Sequence, residues 1–386
     1  MNPGLLPTGQ PRIHSSNLKG ADMRIKYGRF VSQLALAATL TISSLANASY
    51  SQIYVIGDSL SDTGNIAAAY APIVAANGGV PLPILGLSND AYAPGRASNG
   101  PLWIDLLATH FGLSVTASLE GGTNYAYGGA RTDSQLYNPT IPEFKGLLQQ
   151  RDALLTDHPT LDPNALYIVW GGANNLQDIL TGRPRADGTA QTIGKTVDDL
   201  QDIIDSLASA GAQHFYVPNS PDISLVPRIS EKGAGAVAAA NFLSRSLNMA
   251  LAGMLDAEEA AGRDITTFDT YSFLRDVVAN PTAYGLDNVT DRCYLGDDLQ
   301  FNSGGPVCTT PDDYLFWDGI HPTAAGHLLL AEAMINRIPE PTTLALGLLG
   351  LLGILGRRGS LALRDAFGRS RHGDFARIGD SPIHPT

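Results

Sequence analysis

The chain has 386 residues, of which 44% are hydrophobic and 16% are charged, a composition typical of a folded globular protein. The formal net charge is −12, and residues 49–338 contain 32 of the 37 acidic side chains. This acidic body excludes nucleic-acid binding, which needs a basic face, and plain solubility is the simplest reason for the charge.

The N-terminal part of the chain has the three regions of an export signal. A basic stretch precedes a mostly apolar run at residues 30–45, and Ala46-Asn47-Ala48 has the small residues of a cleavage site. The apolar run is too short and too polar to be a membrane-spanning helix. We expect residues 23–48 to be a signal peptide, and residues 1–22 to be a non-native extension upstream of the true start, Met23. A buried apolar helix is the alternative.

Apolar segments with β propensity alternate with helix-like segments along residues 49–338, the expected globular domain. The pattern predicts five strands, at residues 53–56, 123–127, 165–170, 215–217 and 265–268. It predicts helices at residues 102–111, 143–156, 192–210, 236–261 and 324–337. Three long stretches without regular signal are expected to be loops: residues 72–100, 131–142 and 279–313. This alternation predicts an α/β fold with three layers, α/β/α, around a parallel sheet.

Residues that could take part in catalysis lie next to several of the predicted strands and helices. They are Ser59 after the first strand, Gly128 and Gly129 after the second, Asn174 after the third, and Asp318 and His321 before the last helix. The carboxyl ends of parallel strands meet at one edge of a sheet, so we expect these groups to lie close together. A hydroxyl, N–H donors and a histidine base are what acyl transfer requires. Each group alone has a plainer interpretation, as a helix cap or a turn residue.

Four sequence blocks, in this order, make residues 51–337 similar to the SGNH/GDSL hydrolase family of lipases and esterases. The blocks are Gly57-Asp58-Ser59-Leu60-Ser61-Asp62-Thr63-Gly64-Asn65, Asn124-Tyr125-Ala126-Tyr127-Gly128-Gly129-Ala130, Gly172-Ala173-Asn174-Asn175 and Trp317-Asp318-Gly319-Ile320-His321-Pro322-Thr323. The resemblance implies a flavodoxin-like parallel sheet of five strands. It also implies a secreted serine hydrolase that cleaves carboxylic esters through an acyl-enzyme, as lipases, esterases and phospholipase-like members do.

The resemblance implies a catalytic triad. Ser59 would be the nucleophile, and His321 would be the base that takes its proton. Asp318 would hold the imidazole in the required tautomer and stabilise the imidazolium. His327 lies nearby on the last helix and is expected to pack or to face solvent.

The resemblance also implies an oxyanion hole. Its donors would be the backbone N–H groups of Ser59 and Gly128 and the side-chain amide of Asn174. Gly129 is the alternative to Gly128, because the double glycine leaves the alignment ambiguous by one position. The third block ends in Asn175 where many relatives have Asp, a departure expected to affect loop rigidity rather than chemistry.

The expected partner is an ester substrate, either a lipid or an acylated small molecule or glycan. An acyltransferase that uses the same site is one alternative, and a non-catalytic surface or matrix protein is another. No cofactor is expected, and no cluster of His, Cys and Asp has the spacing of a metal site. Cys293 and Cys308 are expected to form a disulfide that braces the loop leading to Asp318 and His321.

The C-terminal part resembles the PEP-CTERM sorting tail of exported Gram-negative proteins. Pro339-Glu340-Pro341 precedes an apolar run at residues 344–355 and the basic pair Arg357-Arg358. The resemblance implies that residues 339–358 contact the membrane transiently and are processed by an exosortase-type enzyme. Residues 359–386 depart from that pattern and are expected to be a disordered extension. With the signal peptide, the tail predicts a periplasmic, cell-surface or extracellular location in a Gram-negative bacterium.

Overall fold

The computed structural model describes residues 50–76, 78, 91–133, 144–296 and 304–338. These residues fall within one unit, Tyr50–Pro339. The expected signal peptide, sorting signal and two terminal extensions lie outside the described residues, as does most of the predicted loop at residues 131–142. Within the part of the chain that the structure describes, none of the helices has both the length and the apolar character needed to span a bilayer.

The central sheet has four parallel strands in the order β1-β2-β3-β4. Their bounds are β1 Ile53–Gly57, β2 Leu166–Trp170, β3 His214–Pro218 and β4 Asp264–Phe268. The sequence of β2 is Leu-Tyr-Ile-Val-Trp, and all five side chains are buried, as expected for a strand that is covered on both faces. The register pairs Gly57 with Trp170 and Pro218 with Phe268, so the strands end together at one edge.

Helices flank the sheet and connect its strands. Their bounds are α1 Asn65–Ala76, α2 Trp103–His110, α3 Leu147–Asp157, α4 Ala173–Thr181, α5 Ile193–Ser209, α6 Pro227–Ser230, α7 Ala234–Ala260, α8 Thr270–Ala279 and α9 Ala324–Ile335. Alternate residues of β2 contribute to different cores. Tyr167 and Val169 pack in the core that includes α3, α5 and α7, whereas Ile168 and Trp170 pack in the core that includes α2 and α9. The predicted three-layer α/β/α fold is therefore confirmed.

The prediction of five strands was wrong for residues 123–127. This segment lies beside β1 and forms three backbone hydrogen bonds with it, but it makes only two isolated bridges, from Asn124 to Val55 of β1 and to Ala117. On its outer side, the Asn65 side chain donates to the carbonyl oxygens of Asn124 and Ala126 at 2.7 and 2.9 Å. The amide of Ala126 donates to the Asn124 side chain at 2.9 Å. The outer hydrogen bonds of this segment therefore go partly to the backbone of Thr116 and Ser118, which pairs with Asn124, and partly to side chains, so that no continuous ladder forms.

Two of the predicted loops contain regular structure. Within residues 279–313 lies β5, Asn288–Arg292, which pairs in parallel with β6, Tyr314–Phe316, in a separate two-stranded sheet. Helix α1 continues through Pro72, where the sequence favoured a loop, because its alanine-rich flanks keep a high helix propensity. Helices α4 and α8 were not predicted, since each follows a turn signal and spans only 9 or 10 residues.

The predicted disulfide between Cys293 and Cys308 is present. The amide of Cys308 donates to the carbonyl of Cys293 at 2.8 Å, so the backbone closes the same loop as the sulfur atoms do. The amide of Cys293 in turn donates to the carbonyl of Phe316 at 3.0 Å, at the end of β6. The disulfide-closed loop is therefore attached to the segment that leads into Asp318.

Replacement of Asn65 by Ala should lower the free energy of unfolding by about 3 kcal/mol, because the buried carbonyl of Ala126 loses its donor and that of Asn124 keeps only the amide of Ser118. Denaturant unfolding followed by circular dichroism measures this loss. Asn336→Ala is the control, because the exposed Asn336 amide only caps the end of α9. This substitution should lower the free energy of unfolding by less than about 0.5 kcal/mol. Equal effects of the two substitutions would contradict the role assigned to Asn65.

Candidate active site

The carboxyl end of β1 is held by a buried glutamine. Gln150 of α3 accepts from the amide of Gly57 and donates to its carbonyl, both at 2.9 Å. A Cβ at Gly57 would lie 3.0 Å from the carbonyl oxygen of Trp170, so the close approach of β1 and β2 favours glycine here. These contacts fix the backbone of Gly57, from which the turn that carries Asp58 and Ser59 begins.

Asp62 organises the segment after Ser59. Its carboxylate accepts from the amides of Gly64, Asn65 and Ile66, at the start of α1, and from the amide of Gly128 at 2.9 Å. Burial raises the pKa of Asp62 to about 6, although these donors oppose the shift. One carboxylate thus ties the first turn of α1 to the double-glycine loop.

Ser59, His321 and Asp318 form a continuous chain of hydrogen bonds. The Nδ1 atom of His321 lies 2.8 Å from Oδ2 of Asp318, and an ionised carboxylate only accepts, so Nδ1 carries the hydrogen. The Nε2 atom is then free to accept from the Ser59 hydroxyl, at 2.9 Å. This is the tautomer and the spacing that let a histidine remove a proton from serine. The three residues predicted for the triad are brought together as expected.

Asp318 is fully buried and strongly stabilised as an anion. Its Oδ1 atom accepts from the amides of Ile320 and His321, both at 2.8 Å, and its Oδ2 atom also accepts from the hydroxyl of Tyr92 at 2.7 Å. Burial would raise the pKa, but the His321 ring and the backbone donors outweigh it and lower the pKa of Asp318 to about 2. The carboxylate therefore stays charged at neutral pH.

The two glycines of the double-glycine loop differ in the hydrogen bonding of their amides. The amide of Gly128, the predicted oxyanion donor, already donates to Asp62 at 2.9 Å and is therefore not available to an oxyanion, which leaves the alternative, Gly129. Among the described residues, the amides of Ser59 and Gly129 have no hydrogen-bond acceptor. Gly129 has φ +73°, a left-handed conformation that glycine adopts at no steric cost.

Asn174 lies in the first turn of α4, and its amide is fixed in orientation. One N–H of its Nδ2 donates to the carbonyl of Ala130 at 3.0 Å, which leaves the second N–H for another acceptor. Asn174 lines the same cavity as Ser59 and His321. The role of Asn174 as an oxyanion donor stays a prediction.

A buried polar network joins the double-glycine loop to α4. Asn175 accepts from the amide of Thr132 at 3.1 Å and donates to its hydroxyl at 3.0 Å. Arg131 forms a buried pair with both oxygens of Asp178, at 2.7 and 2.8 Å, and also donates to the carbonyl of Gly129. Asn175 therefore serves as an anchor of the loop. Sequence patterns could not have revealed the Arg131–Asp178 pair, because no local motif links residues 47 positions apart.

The cavity beside Ser59 is mostly apolar. It extends from Ser59, Asn174 and His321 along α8 and α9. Its apolar lining consists of Leu60, Trp170, Ala173, Pro221, Ile223, Val226, Phe273, Leu274, Val277, Leu315, Phe316, Ile320, Pro322, Leu329 and Leu330. A narrow polar edge next to an apolar wall is the usual construction of a site for a ligand that is itself mostly apolar.

His327 belongs to the core and not to the site. It is fully buried, and its Nδ1 atom accepts from the amide of Trp103 at 3.3 Å. Burial lowers the pKa of His327 to about 3, so the ring is neutral. Over the residues with described positions, no group of three or more His, Cys, Asp or Glu side chains could hold a metal ion.

Comparison with known proteins identifies relatives over the whole described unit. The model of the family described as GDSL-like Lipase/Acylhydrolase matches residues 53–334. Esterase EstA of Pseudomonas aeruginosa is 30% identical over 358 aligned residues, which cover 84% of this chain and 52% of EstA. The chain spans about half the length of the Pseudomonas esterases that it matches.

Two further relatives are covered almost completely. An acetylesterase of Thermothelomyces thermophilus is 28% identical over 328 residues, covering 80% of this chain and 97% of the relative. The phosphatidylcholine-sterol acyltransferase of Aeromonas hydrophila is 26% identical over 343 residues, covering 78% of this chain and 94% of the relative. The family expected from the four sequence blocks is therefore confirmed.

Replacement of Asn174 by Ala should lower kcat for a p-nitrophenyl ester about 10²- to 10³-fold and leave KM nearly unchanged, because the amide would bind only the developing oxyanion. Steady-state kinetics over ester concentrations below and above KM measures both constants, with Asn336→Ala as an asparagine control remote from the cavity. A change confined to KM would instead make Asn174 a substrate-binding residue.

Proposed function

The chain belongs to the GDSL-like lipase/acylhydrolase family, and on this premise we propose that it is a carboxylic ester hydrolase that works through an acyl-enzyme. The observation that carries the proposal is the hydrogen-bonded chain from Ser59 through His321 to Asp318. A non-catalytic binding protein has no use for a serine hydroxyl held on a histidine base whose tautomer is fixed by a buried carboxylate.

In the proposed first step, Ser59 attacks the ester. Its Oγ atom forms a bond to the carbonyl carbon while its proton moves to Nε2 of His321, and Asp318 stabilises the resulting imidazolium. Collapse of the tetrahedral intermediate breaks the bond to the alkoxy oxygen, and the alcohol leaves with the proton from His321. Water then repeats the sequence on the acyl-Ser59 and regenerates the free enzyme.

Three donors would stabilise the negative charge of the tetrahedral oxygen. They are the backbone N–H groups of Ser59 and Gly129 and the second N–H of the Asn174 amide. The two backbone amides have no other acceptor among the described residues, and the Asn174 amide is already held by Ala130. Donors that are fixed before the reaction do not have to reorganise when charge develops. Their electrostatic stabilisation of the transition state is therefore large.

The apolar cavity favours esters with an extended acyl chain. Beyond Ser59 and His321 the walls are formed by side chains such as Phe273, Leu274 and Leu329, which offer no hydrogen bonds to a sugar or a charged acyl group. Each buried methylene of an acyl chain contributes roughly 0.8 kcal/mol to binding. A lipid or another long-chain ester is therefore the substrate class that we propose, phospholipids included.

Transfer of the acyl group to an alcohol instead of water is the second candidate function. The similarity to the Aeromonas hydrophila acyltransferase supports it, because that relative is covered over 94% of its length. Both reactions share the acyl-enzyme and differ only in the acceptor that attacks it.

We also propose that the enzyme is exported. The supporting features are the signal-like residues 23–48 and the PEP-CTERM-like residues 339–358, which would hold the protein at the membrane until an exosortase-type enzyme cleaves the tail. The predicted location is the periplasm, the cell surface or the medium of a Gram-negative bacterium.

Replacement of Ser59 by Ala should lower the hydrolysis of p-nitrophenyl esters by at least about 10⁴-fold, because the nucleophile is lost while the fold remains. Ser246→Ala is the matched control, since its exposed hydroxyl only bonds within α7. Retention of a tenth of the activity in Ser59→Ala, with an unchanged circular dichroism spectrum, would refute the acyl-enzyme.

The wild-type protein should also show a higher kcat/KM for octanoate than for acetate in a p-nitrophenyl series, because the apolar wall binds the longer chain. A preference for acetate would contradict the proposed substrate class without affecting the role of Ser59.

Deletion of residues 339–386 should leave ester hydrolysis unchanged and alter only the location of the enzyme. Cell fractionation and mass spectrometry of the mature protein from its native host are the measurements. Processed termini after Ala48 and near Pro339 are expected. Intact termini would refute processing, and lost activity on deletion would show that the tail belongs to the folded unit.

A further inference from the structure

We propose that Tyr92 is a positioning residue for Asp318, and that the loop closed by Cys293–Cys308 keeps it in place. The proposal rests on the hydrolase function proposed above and adds to it a residue from outside the four sequence blocks. Its basis is the bond of 2.7 Å from the Tyr92 hydroxyl to Oδ2 of Asp318, the same oxygen that faces the His321 ring.

Four donors satisfy the Asp318 carboxylate, and three of them belong to its own turn. These three are the amides of Ile320 and His321 and the Nδ1–H of His321. They travel with Asp318 if the turn shifts, so they cannot fix the turn relative to the rest of the protein. Within the described ranges, Tyr92 is the one donor that comes from elsewhere in the chain, 226 residues away. Its hydroxyl therefore fixes the carboxylate, and through it the His321 ring, against an independent segment.

The Tyr92 ring is held by two other aromatic side chains. It packs edge-on against Tyr294, with centroids 5.5 Å apart, and against Trp317, at 6.2 Å. Tyr294 and Trp317 are stacked on each other at 5.9 Å. Trp317 directly precedes Asp318, so this aromatic cluster supports both the donor and the acceptor of the Tyr92 bond.

The disulfide keeps Tyr294 in this cluster. Tyr294 follows Cys293, and its amide donates to the carbonyl of Trp317 at 2.6 Å. Cys308 bonds covalently to Cys293 and also donates to its carbonyl at 2.8 Å. Reduction of the disulfide would remove the covalent link between Cys293 and Cys308 and leave the backbone hydrogen bond between them, and the support of Tyr92 would weaken.

The alternative interpretation is that Tyr92 only fills space, and a phenylalanine would then serve equally well. The two interpretations differ in what the hydroxyl does. Hydrogen bonds to charged groups are stronger than neutral ones, and misplacement of a catalytic group by a fraction of an ångström is costly. The hydroxyl should therefore affect turnover and leave substrate binding nearly unchanged.

Tyr92→Phe should lower kcat about 10- to 100-fold, the range for loss of a hydrogen bond to a charged group, with KM nearly unchanged and a melting temperature close to that of Tyr167→Phe. Tyr167→Phe is the matched control, because it removes a buried-ring hydroxyl bonded at 2.9 Å to a backbone carbonyl outside the site. In an Asp318→Asn background, Tyr92→Phe should have no further effect on kcat. A kcat equal to that of wild type, or an equal loss in both backgrounds, would overturn the positioning role.

The disulfide is tested with the double variant Cys293→Ser/Cys308→Ser. Its kcat should fall in the wild-type background and change little in Tyr92→Phe, because both changes act on the same contact. A normal kcat in the double variant would overturn the part assigned to the disulfide.

A spectroscopic readout separates this inference from the proposed function. The Nδ1–H proton of His321, which bonds to Asp318, should give a downfield resonance in proton NMR that moves in Tyr92→Phe and not in Tyr167→Phe. A moved resonance in a protein without esterase activity would refute the function and support the positioning. An unmoved resonance in an active enzyme would support the function and refute the positioning role of Tyr92.

Discussion

The hydrogen bond between the Ser59 hydroxyl and the His321 imidazole is the contact on which the site depends, because it joins residues 262 positions apart in the chain. It can form only because β1 delivers Ser59 to the same edge of the sheet that the turn after β6 reaches with His321. The amide of Trp317 donates to the carbonyl of His321 at 2.8 Å and closes that turn. Strands β1 and β6 belong to different sheets, so tertiary packing rather than strand register brings the two distant motifs into one site.

Around this contact, buried polar side chains replace water as partners of the backbone. Gln150 satisfies Gly57, Asp62 satisfies the start of α1, and Asn65 satisfies the segment beside β1. Burial of such groups is costly unless every one is bonded, and here each bond also fixes an element that carries the site. The same interactions therefore stabilise the fold and hold the donors in place before substrate binds.

The sequence predicted the site residues that lie next to the end of a strand or the start of a helix. Ser59, Asn174, Asp318 and His321 each adjoin a strand end or a helix start, and the layered fold follows from the alternation of strands and helices. It could not predict Tyr92 or Gln150, whose partners are 226 and 93 residues away. The misassigned fifth strand has a similar cause, because its apolar residues suit a strand while the side chain of Asn65, 61 positions away, takes the outer hydrogen bond of Ala126.

The most direct test of the central claim is covalent labelling of the nucleophile. The purified wild-type protein is treated with a fluorophosphonate, which reacts with serines activated by a neighbouring base, and the modified peptide is identified by mass spectrometry. One adduct per chain on Ser59, absent from His321→Ala, is the result that the account predicts. No adduct, or an adduct on another serine, would contradict it.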